Sequence, residues 1–230
     1  MANKENKNTG NELENVGELV SRSEKFIEKN RNTIIYGVLG LILIVVAVLA
    51  YKHAYLQPRE RKAQAAMFKG EQYFARDSFE LALNGNGADF EGFEAIIGQY
   101  GSTKAGNLAK AYAGICYYRM GDVQKALDVL KSFSAKDQMI SPAITGLIGD
   151  CYVSLGDVKK GIEYFRKAAK EADNNVISPE YLKKAGRAYE SLGQYGDAVE
   201  MYTTVKEKYY TSMDAADIDK YIIRASAKNK

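Results

Sequence analysis

The chain has 230 residues, 46% of them hydrophobic and 27% charged, which is enough for one or two folded domains. A formal net charge of +3 carries no electrostatic footprint for a nucleic-acid binder, so no nucleic-acid partner is expected. One histidine, His53, and two cysteines, Cys116 and Cys151, set apart with no CxxC and no Cys/His cluster, exclude a disulfide framework and a zinc site.

Residues 1–31 form a polar leader. Leu13, Val16, Val20, Phe26 and Ile27 recur there near helical spacing, with Glu and Lys between them. That pattern predicts a short amphipathic helix on the membrane or against a partner. Its six Glu balance its six Lys and Arg, so it lacks the basic face of a lipid binder, and a frayed juxtamembrane helix without a partner fits as well.

Residues 32–51, "NTIIYGVLGLILIVVAVLAY", carry no charge between Arg31 and Lys52. About 20 apolar residues at ~1.5 Å each cross a hydrocarbon core of ~30 Å. Tyr36 and Tyr51 sit near the ends, where aromatics favour the headgroup zone. A cleaved signal peptide is the competing reading. The long polar leader and the length of the apolar run oppose it, and no Cys follows for lipoprotein processing. Arg22, Lys25, Lys29 and Arg31 upstream nearly balance Lys52, Arg59, Arg61 and Lys62 downstream, so charge leaves the orientation open. Residues 52–64 are read as a juxtamembrane linker.

Beyond it the sequence repeats. "GICYYRMGDVQKAL" from Gly114, "GDCYVSLGDVKKGIEYF" from Gly149 and "GRAYESLGQYGDAVEMY" from Gly186 place Gly, Tyr, Gly and a small residue at offsets 0, 3, 7 and 12. Gly114, Gly149 and Gly186 would let a second helix press in, and Tyr117, Tyr152 and Tyr189 would fill the space beside that contact. Gly121, Gly156 and Gly193 would end the first helix in a left-handed residue. Leu130, Phe165 and Tyr202 would supply bulk from the second helix. Gly161 replaces the Ala of the other two units, at an expected cost of roughly 0.8–1 kcal/mol.

This pattern resembles the tetratricopeptide repeat, with steps of 35 and 37 residues between units and no Trp. The resemblance implies an all-α solenoid of helix pairs following one transmembrane helix. The repeat domain would span 65–230: a degenerate unit at 65–103, repeats at 107–140, 142–175 and 179–212, and a capping helix at 214–228. In the degenerate unit "GEQYFARDSFELAL" would be the first helix and "DFEGFEAIIGQYGS" the second. About nine helices are expected from Glu60 to Lys228.

No catalytic constellation is present. G-x-S-x-G and G-x-x-x-x-G-K-[ST] do not occur, and a single His rules out H-E-x-x-H. No enzyme activity, cofactor or metal is expected. Cys116 and Cys151 fall at the same place in successive first helices, whose axes lie about 8–10 Å apart, too far for a disulfide. What remains is a surface. The repeat register puts Tyr118, Arg119, Asp150, Lys183, Arg187 and Glu190 on a concave face suited to an extended peptide or a partner helix. The same residues could equally be the solvated side of amphipathic helices.

The whole arrangement of leader, anchor and repeats is similar to the YfgM-type ancillary subunits of the Sec translocon. That likeness implies an inner-membrane protein with a cytoplasmic N-terminus and a periplasmic repeat domain. It also implies binding to translocon or chaperone components. A cytosol-facing repeat receptor, or a structural subunit of a cell-envelope enzyme complex, are the alternatives.

Overall fold

A computed structural model describes residues 28–229, and the leader pattern from Leu13 to Ile27 lies outside them. The described residues hold helices and no strand. The chain divides into two compact units, one ending at Pro58 and one beginning at Arg59.

In the first unit α1 spans Arg31–Ala50. None of its residues is buried, and it is long and apolar enough to cross a membrane. A π-helical turn, Tyr51–Leu56, follows, then α2, Gln57–Ala75. Residues 52–64 are thus helical, where a linker was expected. Between Lys52 and Lys69 the chain has no glycine and is rich in Ala, Lys, Arg, Glu and Gln, all strong helix formers. The one breaker, Pro58, lacks the N–H that would bond back into this stretch. The widened turn directly before it is where such a missing bond is absorbed.

The second unit continues with α3 (Phe79–Asn84), α4 (Phe93–Tyr100), α5 (Lys104–Arg119), α6 (Val123–Lys131), α7 (Ile140–Ser154), α8 (Val158–Ala172), α9 (Ser178–Ser191), α10 (Tyr195–Lys208), a 3₁₀ turn (Met213–Asp217) and α11 (Ile218–Lys228). The pairs α5/α6, α7/α8 and α9/α10 are the three repeats. A Cβ placed on Gly114, Gly149 or Gly186 would run into Leu130, Phe165 or Tyr202 of the paired helix. Leu130 and Tyr202 are fully buried and Phe165 nearly so, each contributing roughly 1.5–3 kcal/mol by leaving water. Each first helix ends on a glycine of positive φ, Gly121 at 89°, Gly156 at 87° and Gly193 at 73°. After each, one N–H reaches back five residues: Asp122 to the Tyr117 carbonyl (2.9 Å), Asp157 to Tyr152 (2.9 Å) and Gln194 to Tyr189 (3.0 Å).

The degenerate unit keeps the same register in disguise. Gly70, Tyr73, Asp77 and Ala82 stand at the same offsets. Asp77 takes the left-handed conformation itself (φ 55°), and the Ser78 N–H bonds the Tyr73 carbonyl at 2.9 Å. The first helix therefore stops at Ala75 and does not run on to Leu83. The second helix is broken instead. After α3, a loop through Gly85, Gly87 and Gly92, all of positive φ, precedes α4. Asn86 organises this loop: its Oδ1 accepts the N–H groups of Ala88, Asp89 and Phe90, and its Nδ2 donates to the Tyr73 hydroxyl. The interruption swings Phe90 and Phe93 onto Gly70, and Phe93 stacks on Tyr112 at 5.1 Å between ring centroids. Splitting this helix raises the number of α-helices beyond α1 to ten among the described residues, against the nine expected. The capping segment also differs: its first part is the 3₁₀ turn, opened by Ser212, whose Oγ accepts the Ala215 N–H at 3.2 Å.

Gly161 has a cause. Its Cβ would strike Cγ2 of Val153 on α7. The equivalent residues of the other repeats, Tyr118 and Glu190, are not branched at Cβ. Val153 therefore compels glycine at 161, and α7 and α8 approach there almost backbone to backbone, with the Gly149 carbonyl oxygen 3.1 Å from that Cβ position. Gly161→Ala, which should gain about 1 kcal/mol of helix propensity, is expected to lower the melting temperature. Adding Val153→Ala should recover part of the loss relative to Gly161→Ala alone. Asp77→Gly should hold or raise stability, whereas Asp77→Val should cost about 1–2 kcal/mol in denaturant titration.

Candidate protein-binding face of the repeats

Position relative to the packing glycine decides what each first helix shows. One residue after it stand Ile115, Asp150 and Arg187. Four after it stand Tyr118, Val153 and Glu190. Two before it stand Tyr112, Leu147 and Lys184. All are half-buried except Arg187, which is exposed. The face is thus apolar along α5 and becomes charged toward α9.

The structure separates the six expected face residues into two groups. Asp150, Lys183 and Glu190 are engaged within the solenoid. Lys184 Nζ donates to Asp150 Oδ2 at 2.8 Å, tying α9 to α7, and lies 5.0 Å from the Tyr181 ring. Lys183 Nζ donates to Asp217 at 2.9 Å and Asp214 at 3.1 Å, tying α9 to the 3₁₀ turn, and sits over Tyr221. Glu190 accepts Nε and Nη2 of Arg224 at 2.9 and 2.6 Å, and the Tyr202 hydroxyl at 2.6 Å, joining α9 to α11 and α10. Tyr118 is half-buried against the core. Arg119 is largely exposed, resting over the Phe79 ring at 5.2 Å and 3.8 Å from Asp77. Arg187 makes no ion pair among the described residues. Arg187 is thus without an ion pair on this face, and Arg119 has only a long, exposed one.

Lys184 and Arg224, which hold Asp150 and Glu190, were not among the expected face residues. The half-buried position two before the glycine recurs in all three repeats and would have pointed to Lys184. Arg224 carries no such signal, because it lies outside the repeats.

Electrostatics follow these contacts. Burial works against the charge on Lys183 and Lys184, but their carboxylate partners outweigh it and both pKa values are raised. Burial likewise disfavours the Glu190 carboxylate, yet the hydrogen bonds from Arg224 and Tyr202 hold its pKa below the ordinary 4.5. Burial pushes the Cys116 thiol up to about 12 and the Cys151 thiol up to about 11. Both thiols are free. Among the described residues no group of three or more His, Cys, Asp or Glu could hold a metal.

Because Glu190 has a lowered pKa in the fold, its contribution is full above the unfolded value and is lost as pH falls through the folded one. The melting temperature should therefore drop below about pH 4.5, and Glu190→Gln should flatten that part of the profile while lowering stability at neutral pH.

Family models of the tetratricopeptide repeat match residues 112–137, 146–175 and 182–211. No curated protein matches the chain. Solved structures share the fold. Nearly identical TPR-like repeats from Podosopora anserina are 14% identical, with a TM-score of 0.57 over 76% of this chain and 89% of that one. A tetratricopeptide repeat protein from Parabacteroides merdae is 16% identical, with a TM-score of 0.58 over 73% of this chain and 61% of that one. The MamA protein is 15% identical, with a TM-score of 0.50 over 73% and 91%. The three glycine-centred helix pairs are the segments that models of the tetratricopeptide repeat match, and the solved structures share their fold.

Proposed function

We propose that the chain is a membrane-anchored, non-enzymatic scaffold that captures an extended peptide or a partner helix on the first-helix face of its repeats. The observation that carries this is the composition of that face. Ile115, Leu147 and Tyr118 are half-buried and apolar, and beside them Arg187 makes no ion pair and Arg119 only a long one to Asp77, while Asp150, Lys183 and Glu190 are tied up internally. Several repeats thus present apolar contacts and exposed cations to one ligand, where small contributions add. Anchoring rests on α1, whose residues carry no charge after Arg31 and are none of them buried.

The likeness to YfgM-type subunits supports placing this scaffold in bacterial envelope protein export or assembly, near the Sec translocon, with the leader cytoplasmic and the repeats periplasmic. Protease added to intact spheroplasts is expected to remove the residues beyond Lys52. Protection until the membrane is lysed would favour the cytosol-facing receptor. Crosslinking in native membranes should yield translocon or chaperone components, and an envelope enzyme in their place would favour the structural-subunit reading.

Exposed charged contacts contribute only ~0.2–1 kcal/mol each, so the paired reversal is the informative variant. Arg119→Glu/Arg187→Glu should weaken partner capture in pulldown and leave helicity and melting temperature nearly unchanged. Unchanged capture, with loss instead on altering Val16, Val20 and Phe26, would sink the face and move the working surface to the leader.

A further inference from the structure

The second helices of the last two repeats enclose a groove that the first-helix reading does not use. We propose that this groove, between α8 and α10, docks an acidic peptide segment bearing an apolar side chain. It is a cavity of about 740 Å³. Its floor is apolar, with Leu182 and Met201 at the base. Arg166, Lys167 and Lys170 from α8 and Lys208 from α10 outnumber Glu163 and Asp173 around it.

The internal pairings leave a cationic surplus on the α8 side. Lys208 is satisfied by Asp173 at 2.6 Å. Lys167 stands 3.8 Å from Glu171, a long contact. Arg166 spends one Nη donor on the Tyr189 hydroxyl at 3.2 Å, and a guanidinium has five donors. Lys170 makes no hydrogen bond or ion pair among the described residues. Arg166 and Lys170 lie four residues apart, one above the other on the helix, so two carboxylates of one segment can reach both. An apolar side chain between those carboxylates would cover Leu182 and Met201. The preceding groove, between α6 and α8, is about 300 Å³, and there Glu171 accepts the Thr145 hydroxyl beside Lys131 and Lys167. Charge and room for an acidic ligand therefore coincide only at the α8/α10 gap of these two.

The test uses the full chain in detergent micelles and a fluorescein-labelled peptide of glutamates around a central leucine. Anisotropy should report binding that weakens with salt. Arg166→Glu/Lys170→Glu should weaken it roughly tenfold or more, and replacing the peptide leucine by serine should weaken it too. If the reversed variant loses helicity, Arg166→Gln/Lys170→Gln gives the same comparison without new charge. Binding that survives both variants, or no binding of the peptide at all, overturns the groove. Loss on Arg119→Glu/Arg187→Glu in its place overturns the groove while upholding the first-helix face. Equal binding of a single-stranded oligonucleotide of matching charge also overturns it, since the site would then read charge alone.

Discussion

The fold depends on a missing atom. Where Gly114, Gly149 and Gly186 lack a Cβ, a large side chain from the paired helix fills the gap, and the two helices of each repeat cross at that point. The filler is Leu130, Phe165 or Tyr202, so the ring or branch may vary while the hole may not. Every other regularity is measured from this hole. The turn glycine lies seven residues on, the second small residue twelve on, and the surface positions fall on fixed sides of it. Interiors are packed too tightly to hold both a Cβ and a filler in one place.

Between repeats apolar packing continues and charged contacts join it. The apolar core is two clusters, one running from Ala63 to Cys151 and the other from Ile162 to Ala225, and they divide between α7 and α8. Toward the C-terminal end the helices are also pinned by half-buried charges, through Lys184 with Asp150, Lys183 with the 3₁₀ turn and Glu190 with Arg224. Such pairs add modestly to stability, but each is costly to break from one side because the partner is left behind with its charge. They fix how α9 sits on α7 and how α11 closes the end. The residues that carry this duty are therefore withdrawn from the surface available to a ligand.

The repeats were legible because their signal is made of backbone necessity. A close approach and a left-handed turn both demand small residues at set distances, and those letters stand in the sequence. The degenerate repeat was only half legible. Asp77 performs the turn that glycine performs elsewhere, and nothing in a lone Asp announces a positive φ. The break in its second helix was likewise hidden, since Phe90 and Phe93 reach Gly70 only once Asn86 has folded the loop. On the candidate face, helical register gave the side but not the state of each charge. Asp150 and Lys184 are 34 residues apart, and Glu190 and Arg224 the same. Ion pairs across helices belong to the stack and not to any one motif. Gly161 shows the same lesson in reverse: it is a departure from the repeat when read alone and a requirement when read beside Val153.

The two buried cysteines have a bearing on the life of the chain before it folds. Oxidation proceeds through the thiolate. In the unfolded chain Cys116 and Cys151 would titrate near the ordinary 9.0, against about 12 and about 11 once buried. Near neutral pH burial thus makes the reactive form scarcer in the fold than in the unfolded chain, and what remains is walled off from solvent. An oxidant or a stray thiol meets these residues most readily before the helices stack. The stacking of the repeats, and no group on the finished surface, is what shields both thiols.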